Sequence, residues 1–141
     1  MRRSAQLECE TFVEARIAAR ESYAVETTLR SVAAIDQVRR ARDAGFATIM
    51  HFIATSDVEE NVTRVRLRGL LGGHAAPPDE VRDIYRRSLA NLELALDLFE
   101  RVHLYDSTPT MQRPTLVARK SAERFVRVAA SMPAWVPDRF R

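Results

Sequence analysis

A group of arginines and one histidine surround a single predicted turn, and their side-chain types suggest phosphate chemistry. The stretch runs from Arg64 to Leu92, RVRLRGLLGGHAAPPDEVRDIYRRSLANL. Arg64 and Arg68 are four residues apart, so a helix puts them on one face. Gly72-Gly73-His74 breaks that helix, and Pro77-Pro78 is placed to start the next one. Arg82, Arg86 and Arg87 then fall in its first turns. Cations at a helix start oppose the helix dipole unless an anion lies between them and the amides. A guanidinium is a planar fork of donors that meets a phosphate bidentately. The hairpin therefore reads as a candidate phosphate site, with His74 on a glycine-built loop that could approach a ligand. The competing reading is a solvated hairpin of surface arginines, with Arg64 paired to Glu60 at i, i+4.

Other reactive residue types give weaker signals. His51, His74 and His103 have no metal-ligand spacing, so no zinc site is expected. His51 falls in an apolar stretch and reads as a satisfied core histidine. Asp106 reads as a turn former, although a strand-end carboxylate could also face a site. Cys9 has no histidine partner in view and reads as an inert helix residue.

The elements that must position these residues follow from periodicity and capping. Residues 4–20 read as a helix. Residues 22–27 (SYAVET) read as a short buried strand ending at Glu26-Thr27-Thr28. Ser31 can cap a helix over 32–44, which Gly45 ends. Phe46–Ala54 (FATIMHFIA) is apolar on both faces, which predicts a central parallel strand covered on both sides. Ser56-Asp57-Val58-Glu59 looks like a capping box for the next helix. A long helix is expected over 79–101, then a third strand at Val102–Tyr105, broken by Asp106-Ser107-Thr108-Pro109. Thr115–Ala118 and Arg124–Ala129 suit a hairpin, with a helix over 115–130 as the alternative. Trp135 should tie down the irregular end. Strands alternating with helices predict an α/β fold with a parallel sheet, whose ligands bind beyond the carboxyl ends of the strands.

Composition sets the outer bounds. A chain of 141 residues with 46% apolar residues can build one domain around one core. Neither a transmembrane span nor a secretory signal is expected. The single cysteine excludes an internal disulfide and suits a reducing cytoplasm. Among the 22 lysines and arginines, Lys120 is the only lysine. A net charge of +3 spread along the whole chain argues against nucleic acid as the partner.

Several segments, taken in order, resemble one family. Tyr23-Ala24-Val25-Glu26-Thr27-Thr28-Leu29-Arg30-Ser31 is similar to the "fETTLs" segment of zeta-toxin-like P-loop kinases. Asp43-Ala44-Gly45-Phe46 continues the likeness, followed by Arg64-Val65-Arg66-Leu67-Arg68, Gly72-Gly73-His74, Pro77 and Tyr85–Leu92. Val102–Ser107 resembles the family's "vyDNS" strand end, with Ser107 where asparagine is common. The likeness spans about residues 10 to 110. It implies a P-loop nucleoside-kinase-like parallel sheet with flanking helices. It also implies transfer of the ATP γ-phosphoryl group, with Mg²⁺, to a small hydroxyl substrate such as UDP-N-acetylglucosamine. By position, Glu26, Thr27 and Thr28 resemble the substrate-binding residues. Arg64, and with it Arg68, resembles the catalytic arginine that steadies the transferred phosphate. His74 or Arg82 lies near a second phosphate-binding position.

One departure is large. No GxxGxGK[ST] loop occurs, because none of the glycines at 45, 69, 72 and 73 precedes a Lys-Ser/Thr pair. No counterpart of the family's catalytic aspartate follows. Phosphoryl transfer needs amides, a lysine and Mg²⁺ around the β- and γ-phosphates. The expectation is therefore a single truncated zeta-toxin-like domain over 1–141, inactive alone and lacking the N-terminal βα unit. An antitoxin or an N-terminal fragment is the partner such a domain implies. The alternatives are a non-catalytic sugar-nucleotide or anion-binding protein, or a remnant.

Overall fold

The computed structural model describes residues 2–108 and 112–141, so Pro109, the predicted breaker after the third strand, lies outside the described residues. Helix α1 (Arg2–Ala19) and helix α2 (Val32–Asp43) come first. Ser31 caps α2 as expected, its hydroxyl accepting from the Ala33 amide at 3.1 Å. Gly45 ends it at φ +89, with the Gly45 and Phe46 amides bonded back to Arg42 and Ala41 in a Schellman motif.

Strand β1 (Ile49–Ala54), helix α3 (Val58–Leu70), helix α4 (Pro78–Ala95) and strand β2 (Arg101–Asp106) follow. They form a right-length βαβ crossover, and β1 pairs with β2 in parallel. Asp57, not Ser56, caps α3, accepting from the Glu59 amide at 2.9 Å. The predicted helix over 79–101 stops at Ala95. Lys120 reaches in and donates to the Leu96 and Phe99 carbonyls at 2.5 and 2.8 Å, satisfying acceptors just past that helix end.

Strands β3 (Thr115–Ser121) and β4 (Arg124–Arg127) decide the tail in favour of the hairpin over the helix. Both are antiparallel to their neighbours, so the sheet is mixed, in the order β1-β2-β3-β4, and not the parallel sheet expected. The reason is loop length. Only Ala122-Glu123 joins β3 to β4, and Ala122 takes φ +51; a connection that short can return a chain but cannot cross it over.

Two further expectations fail. Residues 22–27 have no regular secondary structure and pair with no strand among the described residues. The segment is held by side chains instead: Tyr23 packs between Phe12 and Phe46, Ser88 on α4 donates to the Thr28 carbonyl, and Asn91 donates to Leu29 O at 2.8 Å. Leu29, at φ +57, turns into the core. β1 is an edge strand paired only with β2, not a central strand. Its apolar residues alternate: Met50 and Ala54 are buried, whereas Ile49, His51 and Ile53 are exposed. His51 is thus not a core histidine.

The core lies on one side of the sheet. Met50, Ala54, Val102, Leu104 and Ala118 meet Leu92 and Ala95 of α4, Leu96 that caps it, Ile35 of α2, and Trp135, Val136 and Phe140 of the tail. A single 3-10 turn, Asp138–Phe140, closes that tail.

Candidate functional site

The parallel pair sends β1 and β2 out of the sheet at the same end, where their loops meet. β1 runs into Thr55-Ser56-Asp57 and β2 into Ser107-Thr108. Thr108 ties the two loops together. Its hydroxyl accepts from the Ser56 amide at 2.9 Å and donates to Asp106 Oδ1 at 2.7 Å. The Trp135 indole also donates to Asp106 Oδ1, at 3.0 Å, so the tail is anchored as its sequence suggests. Asp106 also accepts from the Thr108 amide in the expected turn-forming manner.

Arg64 reaches this junction from α3. Its Nη2 donates to Ser107 O at 2.7 Å and its Nη1 to Ser107 Oγ at 3.3 Å, while Nε donates to Glu60 at 3.0 Å. The ion pair offered as the competing reading is real, and so is the strand-end position. Tyr85 enters from α4 and donates to Thr55 O at 2.8 Å. Burial raises the Tyr85 pKa, and the carboxylates of Asp57 and Asp106 raise it further. The phenol is therefore a fixed donor rather than a base at neutral pH.

The other sequence-chosen residues are dispersed to different degrees. The Thr28 carbonyl accepts from Ser88, one helical turn along α4 from Tyr85. Thr27 uses its hydroxyl to accept from the Leu29 amide at 3.2 Å. Glu26 is exposed and makes no ion pair or hydrogen bond among the described residues. Arg82 is clamped bidentately by Glu59 at 2.7 and 3.0 Å and also by Asp79 at 2.9 Å. The Arg82 hydrogen bonds hold the Glu59 carboxyl below its ordinary range and raise the Arg82 pKa in return. Arg86 and Arg87 both pair with Asp83. Arg68 and His74 are exposed, and no side-chain hydrogen bond or ion pair among the described residues links them to Arg64 or the strand ends.

The Gly-Gly-His turn has a local cause. Gly72 adopts φ +82, and the Gly72 and Gly73 amides bond to Gly69 O and Arg68 O at 3.2 and 2.8 Å, a second Schellman motif. A Cβ on Gly73 would lie 2.9 Å from the Arg68 carbonyl oxygen. These glycines end α3; no ligand is needed to explain them.

Among the described residues, no glycine-rich loop with a lysine stands at the strand ends. The loop after β1 is Thr55-Ser56-Asp57 and that after β2 begins with Ser107-Thr108, with neither glycine nor lysine among these residues. Lys120 is 3% exposed under α4, occupied by two carbonyls. What stands at the strand ends is one oriented guanidinium, its Nε, Nη1 and Nη2 donating to Glu60 and Ser107, with hydroxyls beside it.

A different set of chemistry-bearing residues escaped the sequence reading. Arg101, His103 and Tyr105 alternate along β2, with His51 on β1, Arg119 on β3 and Arg124 on β4. The period-two spacing was visible, but the register that puts the strands side by side was not. No protein-family model matches this chain, and neither a curated protein nor a solved structure does. The likeness to zeta-toxin-like kinases rests on the segments quoted for it.

Proposed function

We propose that this domain is a zeta-toxin-like P-loop-kinase part that binds an anionic small molecule of the sugar-nucleotide kind beyond the β1 and β2 ends. On its own it does not transfer phosphate. The observation that supports this reading is Arg64, whose guanidinium is aimed at the carboxyl ends of the parallel pair by Ser107 and steadied by Glu60. Open α/β sheets take ligands at that end. Glu26 and Thr28, named by the resemblance, stand on the segment pinned to α4 and are free to meet the hydroxyl-bearing part of such a ligand. The partner that would supply ATP and Mg²⁺ binding is an N-terminal fragment; an antitoxin is the other partner class the resemblance implies.

The test is calorimetry with UDP-N-acetylglucosamine, beside a phosphorylation assay with ATP and Mg²⁺. Binding without turnover is expected, with Glu26→Ala weakening binding at unchanged circular dichroism. Absence of heat at millimolar ligand from a folded sample rejects the reading. Robust magnesium-dependent turnover by this chain rejects the claim that it is inactive alone.

A further inference from the structure

The uncovered face of the sheet carries a second cluster of chemistry-bearing residues. Its residues follow from register alone. Ile49, His51 and Ile53 of β1 lie beside Arg101, His103 and Tyr105 of β2. Arg119 of β3 is the partner of His103, and Val126 of β4 is the partner of Arg119. Arg124 lies opposite Ser121, which lies opposite Arg101. No aspartate or glutamate is among these positions.

Two features set this face apart from an ordinary solvated sheet. First, the guanidinium groups of Arg101, Arg119 and Arg124 make no ion pair or hydrogen bond among the described residues, whereas those of Arg64, Arg82, Arg86 and Arg87 are each matched to a carboxylate. Second, the rings are stacked. His51 and His103 lie 4.9 Å apart with an interplanar angle of 12°, and Tyr105 lies 5.9 Å from His51 at 30°. His51 Nδ1 and Tyr105 Oη are 3.3 Å apart, which steadies the pair. A depression of about 350 Å³ opens beside His103, between Arg101, Arg119 and Arg124. His103 Nδ1 is buried without a hydrogen-bond partner.

We propose that this open face binds single-stranded nucleic acid, with bases stacked on the His51–His103–Tyr105 rings and backbone phosphates met by Arg101, Arg119 and Arg124. The chemistry is complementary on both counts. Aromatic faces accept any base by stacking, and guanidinia meet phosphates bidentately. His51 stands on the edge strand and is exposed, so a base can extend the stack outward, flanked by the exposed apolar surface of Ile49 and Ile53. The three arginines sit on three adjacent strands. Strand spacing is about 4.8 Å, so Arg101 and Arg124 start roughly 10 Å apart, a span that suits successive phosphates better than one. Duplexes are disfavoured because their base faces are already stacked. This site lies on a sheet face rather than at the strand ends, and it does not depend on the proposed sugar-nucleotide site.

The test is fluorescence anisotropy with labelled ten-nucleotide oligo(dT) and oligo(U), against a duplex of equal length and a salt series. Single strands should bind with a log–log salt slope near −2, about 0.7 per phosphate neutralised. His51→Ala should weaken binding about tenfold at every salt concentration, and His51→Phe should restore it. Arg119→Ala should weaken binding and make the slope shallower, while Arg87→Ala on α4 should change neither. The proposal is overturned by no binding at 0.1 mM protein, and equally by heparin, duplex or anionic vesicles competing with no preference for the single strand. Indifference to His51→Ala also overturns it, because the attraction would then be charge alone.

Discussion

The two faces of the sheet carry opposite chemistry on the same strands. On the covered face, Met50, Ala54, Val102, Leu104 and Ala118 are packed under α4 and the tail. On the open face, one residue along each strand, stand histidines, a tyrosine and unpaired arginines. The buried cation Lys120 has its ammonium bonded to two carbonyls. The open-face cations have no such partners. The difference shows which charges are structural: burial forces a partner on a cation, because an unpaired buried charge is costly, whereas exposure leaves a cation available to a ligand.

The largest expected break in that contrast comes from apolar truncation. Leu104→Ala, at a fully buried position, should cost about 2–5 kcal/mol in urea unfolding. Ile53→Ala, on the same layer of the sheet but 58% exposed, should stay within about 0.5 kcal/mol. Comparable losses would mean that the open face is covered in solution.

Lys120→Met comes next. It keeps the stem's packing but leaves the Leu96 and Phe99 carbonyls without their donor, at about 1–3 kcal/mol in the same measurement. Arg119→Met, the adjacent residue pointing the other way, should be near neutral.

A pH titration sharpens the contrast at His103. Burial lowers its pKa, and the charges of His51, Arg101 and Arg119 lower it further. The unfolded ring, with a pKa near about 6.5, therefore binds a proton more readily than the folded one. Stability contributed by neutral His103 is present above that value and is lost as pH falls through it, levelling below the folded pKa. His103→Gln should flatten the unfolding midpoint between pH 7 and 5 relative to the native chain. An unchanged slope would place the histidine outside the basic cluster.

The smallest effect is also a reversal of sign. Arg119→Glu would face His103 across the ladder, near Arg101, and should stabilise by about 0.2–1 kcal/mol at low salt. Arg87→Glu, four residues after Asp83, should destabilise by a few tenths of a kcal/mol. Both differences should fade with added salt.

Local signals were legible wherever a few neighbouring residues decide the outcome. Ser31 as a cap, Gly45 as a helix terminator, the Asp106 turn, the Arg64–Glu60 pair and the 115–127 hairpin each depend on short-range geometry. The apolar run FATIMHFIA identified a strand for the same reason. It could not reveal that the strand sits at an edge, because burial of both faces depends on elements far along the chain. Residues 22–27 carry strand-like alternation, but a strand exists only if another strand supplies its ladder. The basic hairpin at 64–92 was the most conspicuous charge in the sequence. Its carboxylates at 59, 60, 79 and 83 neutralise much of it, and all but Glu59 stand at helical spacings from their arginines that the chain itself carries. No helix is long and apolar enough to cross a membrane among the described residues, in keeping with the composition.

The sequence by itself determined the α/β alternation, the caps and most element positions, since backbone preference and spacing act within a few residues. The tertiary structure alone decided the mixed sheet, the edge position of β1 and the gathering of His51, His103, Tyr105, Arg101, Arg119 and Arg124. Those residues come from four strands separated by up to about seventy positions. Pairing register, which aligns alternation across strands and one-residue slips would invert, is what puts them on one face.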